Sequence, residues 1–285
     1  MQITKYEIKA NIENGLKIAH VSDLHDKPFG RLVEALKRIR PDVIAITGDL
    51  MDRLEEARNG LSFLREASGI APTFYSLGNH ERIEDGDVLE IAKTGTVLLD
   101  DAAVEFGGIH IGGLTSGRRG RRRNKGGGDW CEDGGGDWCE DGGRGRCGVG
   151  GREWDMRRLR KRWEEAPKPN LEWLDAFAAL EGFKLLLCHH PEYYPQYIRE
   201  RDIDLALSGH AHGGQWRILG RGILAPGQGF LPKYTSGIHE NRLVVSRGLA
   251  NNTIVPRLFN PTELVVIRLV PKDAFRLQES ARLDG

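Results

Sequence analysis

Five times along this chain a short run of branched apolar residues ends directly in a small cluster of Asp, His or Asn, and that recurrence restricts the folds open to it. The clusters are Asp23-Leu24-His25, Gly48-Asp49-Leu50-Met51-Asp52, Gly78-Asn79-His80-Glu81, Cys188-His189-His190-Pro191 and Gly209-His210-Ala211-His212. Runs of four to six residues rich in Val, Ile and Leu read as strands buried on both faces of a layered sheet. In such sheets ligand-bearing residues gather in the crevice beyond the strand ends. Any one of these clusters alone reads equally well as a cap or a surface histidine. Five of them at strand ends, in a chain with nine histidines, point to one shared site.

The strands expected are 16–21, 43–47, 73–77, 109–114, 183–188, 205–208, 243–246 and 264–269. Between the first two, Leu32, Val33, Leu36 and Ile39 share one helical face, and Pro41 closes that helix from behind. A second helix carries Leu54, Leu61 and Leu64, a third runs from about 170 to 180, and a fourth follows Pro191. Strand-helix alternation in the first eighty residues implies parallel pairing, and the strand-rich last third implies a mixed or antiparallel second sheet. The expected product is an α/β protein of 285 residues, a helix-flanked β-sandwich forming a single domain.

One segment departs from this pattern. From 117 to 151 the chain is dominated by Gly, Arg and acidic residues, and an octapeptide at 126–133 is repeated unchanged at 134–141. Such a composition cannot bury enough apolar surface to offset the entropy of ordering it, so it reads as a flexible insertion. Cys131, Cys139 and Cys147 recur every eight residues there, with Trp130 and Trp138 before two of them. Thiolate binding of a metal is the alternative, although this spacing matches no Cys/His zinc pattern. Cys188 ends an apolar run and reads as a small buried residue.

Charge excludes some functions. Lys plus Arg equal Asp plus Glu at 41 each, so no global field draws the chain to nucleic acid or lipid. No run reaches the roughly 18 apolar residues of a membrane span, and residues 1–15 are too polar for a secretory signal, which makes the expected location cytoplasmic or peripheral to a membrane.

The ligand types narrow the chemistry. Asp23 and His25 are two apart and would point the same way from a strand that has just ended, so that they chelate one ion. The same holds for His210 and His212, unless a turn directs them to two ions. Asp49 offers a carboxylate able to bridge cations about 3.5 to 4 Å apart. Mixed nitrogen and oxygen donors favour Mn, Fe or Zn over calcium.

These blocks, in this order, resemble the calcineurin-like metallophosphoesterase superfamily, whose pattern is Asp-X-His, Gly-Asp-X-X-Asp, Gly-Asn-His-Asp/Glu, a lone His and Gly-His-X-His. The continuation Gly213-Gly214-Gln215, with Ala225-Pro226-Gly227 and Val245-Ser246-Arg247-Gly248 downstream, resembles its YkuE-type bacterial branch. The resemblance implies a four-layer α-β-β-α sandwich of two mixed sheets flanked by helices. It implies two divalent or trivalent transition-metal ions: Asp23, His25 and His212 on the first, Asn79, His189 and His210 on the second, and Asp49 between them. His189 is preferred to His190 because the family ligand directly follows the strand. His80 would face the substrate and serve the leaving oxygen, with Asp52 orienting its ring, and Arg53 stands near enough in sequence to reach a phosphate.

The implied function is hydrolysis of a phosphomonoester, phosphodiester or diphosphate by a hydroxide that the two metals activate. A non-catalytic protein-binding scaffold and a nuclease of the same superfamily are the alternatives. Every ligand is retained, which speaks against the scaffold, and the neutral charge without a basic, aromatic-studded groove speaks against the nuclease. Loops at 27–31, 191–200 and 227–237 are the expected specificity elements. The YkuE-type resemblance suggests a phosphorylated small molecule or lipid-linked nucleotide sugar as substrate.

Overall fold

A computed structural model describes residues 1–51, 58–116, 118–119, 166–251 and 256–272. Two six-stranded mixed sheets dominate it. The first is built from β1 (Gln2–Ala10), β2 (Leu16–Val21), β3 (Val43–Thr47), β4 (Thr73–Ser76), β5 (Val97–Leu98) and the last strand, β12 (Glu263–Pro271). The second contains β6 (Ala102–Phe106), β7 (Ile109–Leu114), β8 (Lys184–Cys188), β9 (Leu205–Ser208), β10 (Gly237–His239) and β11 (Leu243–Val245). Strands β2 to β5 run parallel, as do β7, β8, β9 and β11, whereas β6 and β10 join the edges of the second sheet antiparallel.

Alternation along the strands sorts the core into three layers. Ile18, Val43, Ala45 and Phe74 of the first sheet meet Ile111, Leu185, Leu187 and Leu207 of the second. Their neighbours Ala19, Val21, Ile44 and Ile46 point outwards and pack against α1 (Gly30–Ile39) and α2 (Arg58–Ser68) through Leu32, Val33, Leu36, Phe63 and Leu64. On the far side Leu186, Cys188, Ala206 and Val245 pack beneath Leu174 and Phe177 of α4 (Leu171–Ala178) and beneath Tyr193, Tyr194 and Ile198. Helices therefore cover both outer faces, and the four-layer α-β-β-α expectation is met. Burying each such Leu, Ile or Phe contributes roughly 1.5 to 3 kcal/mol.

All eight expected strands are present, and Cys188 is buried within β8 as expected. The last strand differs in placement. It enters the first sheet between β1, to which it runs parallel, and β2, to which it runs antiparallel. Strand β1 was not anticipated, because Lys5, Glu7 and Lys9 alternate with its half-buried side chains in the manner of a protected edge. Helix α3 (Asp85–Ala92) was also missed; it is opened by a capping box between Glu84 and Asp87. The helix expected after Pro191 is only a five-residue π-helical turn, Tyr194–Ile198, with Pro195 within its first turn. Leu54, Asp52, Arg53 and the repeat of the 117–151 segment lie outside the described residues.

Candidate dimetal centre

The parallel strands β2, β3 and β4 of one sheet and β8 and β9 of the other each deliver one cluster from their C-terminal ends. Backbone bonds zip the delivering loops together. Asp23 N–H donates to the Gly48 carbonyl at 3.1 Å and His25 N–H to that of Asp49 at 3.0 Å. Within the second sheet Gly209 N–H donates to the His189 carbonyl at 3.0 Å, and across the sheets His210 N–H donates to Oδ1 of Asp23 at 3.1 Å. Asp23, His25, Asp49, His210 and His212 all have positive φ, between 45° and 62°. Non-glycine residues hold that conformation at a cost of about 1 to 3 kcal/mol each, and such strain collects at functional sites.

That geometry corrects one piece of the sequence reasoning. Asp23 and His25 converge because left-handed turns follow β2, and not through strand alternation, since the strand has already ended at Val21. His210 and His212 diverge for the same reason.

The donor atoms form buried groups. Asp23, His25 and His212 bring one ligand atom each within 4.8 Å of the others, and so do Asp49, His189 and His210. Oδ2 of Asp49 stands between the groups, 3.1 Å from Nε2 of His189 and 3.8 Å from Nε2 of His25. His80 caps this arrangement with its side chain 41% exposed and its Nε2 3.9 Å from the same oxygen. The loop carrying Asn79 and His80 is pinned to Asp49, whose Oδ1 accepts from His80 N–H at 3.0 Å. Glycine at 78 permits that approach, because a Cβ there would lie 2.3 Å from Oδ1 of Asp49.

His189, and not His190, faces Asp49. The second ring nitrogen of His189 lies 2.7 Å from the Thr47 carbonyl, which can only accept, so Nδ1 carries a hydrogen and Nε2 is the nitrogen left to face Asp49. His190 instead places Nδ1 2.9 Å from Oε1 of Glu192 and forms a third group with Glu192 and His210. Glu192 had no expected role; burial works against its charge, but the bond from His190 outweighs this and holds its carboxyl down at about 2.

Electrostatics favour cations here. Burial opposes the charge of Asp49, yet His189 beside it holds its carboxyl well below the usual range. Burial equally opposes protonation of His189, and Asp49 overrides this to raise the ring to about 10. His212 is held down at about 4 by burial, which keeps its imidazole neutral. Oδ2 of Asp49 and Nε2 of His189 face each other at 3.1 Å, and Oδ1 of Asn79 is buried with no hydrogen-bond partner among the described residues. Metal ions that displace the His189 proton would satisfy all three atoms, and the mixed N and O set fits first-row transition metals.

Glu81 is the contributor that sequence reasoning named but left without a role. Its buried carboxylate accepts from the N–H groups of Asp49 at 3.0 Å, Leu50 at 2.6 Å and Gly78 at 2.6 Å, and from the Tyr75 hydroxyl at 2.6 Å. A charged residue directly behind the Gly-Asn-His turn was the available signal. Arg257 was not foreseen at all: its Nη2 reaches the carbonyls of Arg247 and Ala250, both at 2.6 Å, and lies 3.3 Å from Nδ1 of His212.

The calcineurin-like phosphoesterase model matches residues 16–214, the stretch that holds both donor groups. The chain belongs to the calcineurin-like phosphoesterase family. An uncharacterized metallophosphoesterase of Campylobacter jejuni is 28% identical over 272 residues, covering 92% of this chain and 61% of its own length. One from Helicobacter pylori is 25% identical over 275 residues, with 92% and 62% covered. The chain thus spans about three-fifths of the length of these relatives. Among solved structures, TT1561 of Thermus thermophilus aligns over 69% of this chain and 82% of its own, at 15% identity and a TM-score of 0.38.

Proposed function

We propose that the chain is a dinuclear metal-dependent phosphohydrolase, acting on a phosphomonoester, phosphodiester or diphosphate. The observation that carries this reading is Oδ2 of Asp49, buried and shared between the two donor groups. Asp23, His25 and His212 would hold one ion, Asn79, His189 and His210 the other, and Asp49 both. Mn, Fe and Zn suit this set. When bound, such ions supply Lewis-acid activation of water and neutralise charge at the phosphate.

The protein's own groups divide the remaining work. Burial of Asp23, Asp49 and the four ligand imidazoles keeps bulk water from competing for the donor atoms. His80 is partly exposed on the open side, in edge contact with His25 at 5.0 Å, where an incoming phosphate ester would sit. There its ring would hand a proton to the departing oxygen, with Asp52 orienting it. Substrate choice falls to the loops at 191–200 and 227–237, which are linked by Arg199 donating to the Tyr234 hydroxyl at 3.0 Å. The YkuE-type resemblance directs that choice towards a diphosphate or lipid-linked nucleotide sugar.

The test is hydrolysis of chromogenic phosphomonoesters and phosphodiesters by metal-stripped protein, with Mn, Fe, Zn, Co and Mg restored one at a time. Activity returning with a transition metal, together with two bound equivalents lost in Asp49→Ala, supports the reading. Turnover unaffected by Asp49→Ala would sink it.

A further inference from the structure

Beyond the metal centre, large apolar side chains stand in solvent on three neighbouring turns. Leu219 is 99% exposed and Phe259 87%, and Trp216, Ile218, Phe230, Leu231 and Leu258 are exposed as well. These seven make up most of the exposed large apolar residues described, and the remaining five are scattered from Met1 to Leu180.

Their backbones are continuous. Leu258 bridges to Trp216, Trp216 O accepts from Ile223 N–H at 2.9 Å, and Ile223 O accepts from Leu231 N–H at 2.8 Å. Arg217, Ile218, Leu219, Gly220 and Phe259 line a common open cleft. Leu219, Leu231 and Phe259 adopt φ of 48°, 51° and 53°. Bulky residues are genuine outliers in that region, so the fold holds these three apolar tips outwards against a conformational penalty.

Charge distinguishes these turns from the rest of the chain. Residues 211–239 contain Arg217, Arg221 and Lys233 but no Asp or Glu, with Glu240 3.9 Å from Lys233. The chain as a whole is neutral. Local cationic excess around protruding Leu, Phe and Trp is the composition of an interfacial membrane anchor, with apolar tips entering the acyl boundary and cations at the headgroups.

The platform is keyed to the metal loop. Asn260 Nδ2 donates to the carbonyls of His212 at 2.7 Å and Gln215 at 3.1 Å, and Arg217 donates to the Gly213 carbonyl at 2.8 Å. We infer that Ile218, Leu219, Leu258 and Phe259, flanked by these cations, dock the protein on the surface of a bilayer containing anionic lipid and hold the metal centre beside that surface. Apolar tips left in solvent beside Arg217 and Arg221 match a soft hydrocarbon layer with anionic headgroups, and for this reason the bilayer is the occupant. The inference rests on the turns and is independent of the reaction assigned above.

Sedimentation of the full chain with vesicles of phosphatidylcholine alone, or with roughly a third phosphatidylglycerol, tests it. Binding to the anionic vesicles is expected, falling as salt is raised. Leu219→Ser with Phe259→Ser should weaken binding at least about tenfold, and Arg221→Glu about fivefold or more. Bound metal and hydrolysis of a soluble chromogenic ester should stay unchanged, which separates loss of docking from loss of fold or of catalysis. Ile218→Ser with Leu258→Ser is the second pair should the first unsettle the metal loop. Failure of the unsubstituted chain to bind, equal binding after both substitution pairs, or self-association through these turns without vesicle binding would overturn the inference.

Discussion

The imidazole of His189 hangs from the carbonyl oxygen of Thr47, 2.7 Å from its Nδ1, and that contact decides which ring nitrogen is left to face Asp49. Without a metal the facing nitrogen takes up a second proton, because Asp49 outweighs burial and raises the ring to about 10. A cation that occupies Nε2 must displace this proton. Uptake of manganese or zinc at about pH 8 should therefore release about one proton from this ring. Apparent affinity should climb as pH rises towards the ring's value. Titration calorimetry in two buffers of different ionisation heat reads the release directly, and identical heats in both would contradict it.

Glu81 gathers four backbone N–H groups of the two ligand turns and a tyrosine hydroxyl on one carboxylate. Replacing it with alanine leaves those donors buried without an acceptor, at about 1 to 3 kcal/mol apiece. Glu81→Ala should lower the stability of the metal-free protein by about 3 kcal/mol or more and weaken metal binding by roughly 10- to 100-fold. Urea unfolding in the presence of a chelator checks the first, and metal titration the second. A mutant with the wild-type urea midpoint would show that the carboxylate is not a tie.

His80 belongs to neither donor group and reaches into solvent. His80→Asn should reduce turnover by about 10²- to 10⁴-fold while the protein keeps its full metal content. Asp52→Asn should act in the same direction with metal retained. Metal analysis beside steady-state kinetics tells these variants from ligand mutants, which lose both together.

Gly209 has no space for a methyl group: a Cβ there would lie 1.8 Å from Oγ of Ser22 and 2.5 Å from Oδ2 of Asp23. Gly209→Ala should push Asp23 off its position and lower affinity at the Asp23, His25, His212 group more than at the other. Two metal-binding steps of unequal change would register this in calorimetry. Equal weakening of both steps would point instead to general loosening of the fold.

How much of this was readable beforehand follows from what each residue depends on. Asp23, Asp49, Asn79, His189 and His210 were visible because each sits where a short apolar run stops, a purely local signal. The pairing of His212 with Asp23, and of His210 with Asp49, came from the family resemblance alone, because it depends on left-handed turns that spacing does not display. Strand β1 was hidden because an edge strand carries charges at every second position. Glu81 and Glu192 look like ordinary surface acids until folding surrounds them with N–H groups and an imidazole. Arg257 has no local pattern at all, since its partners are carbonyls brought close only by the fold.

The position of β12 between β1 and β2 has a consequence for the order of assembly. A ribosome delivers β2, and with it Asp23, long before residues 263–271 exist to pair with it. Until then β1 has no partner within its sheet, and the strand that presents Asp23 is bare along one side. Closing a loop of that length is slow and comes late in folding. A nascent chain would hold its Asp and His residues as loose, separate chelators and acquire its final grip on metal only once residues 263–271 have been made.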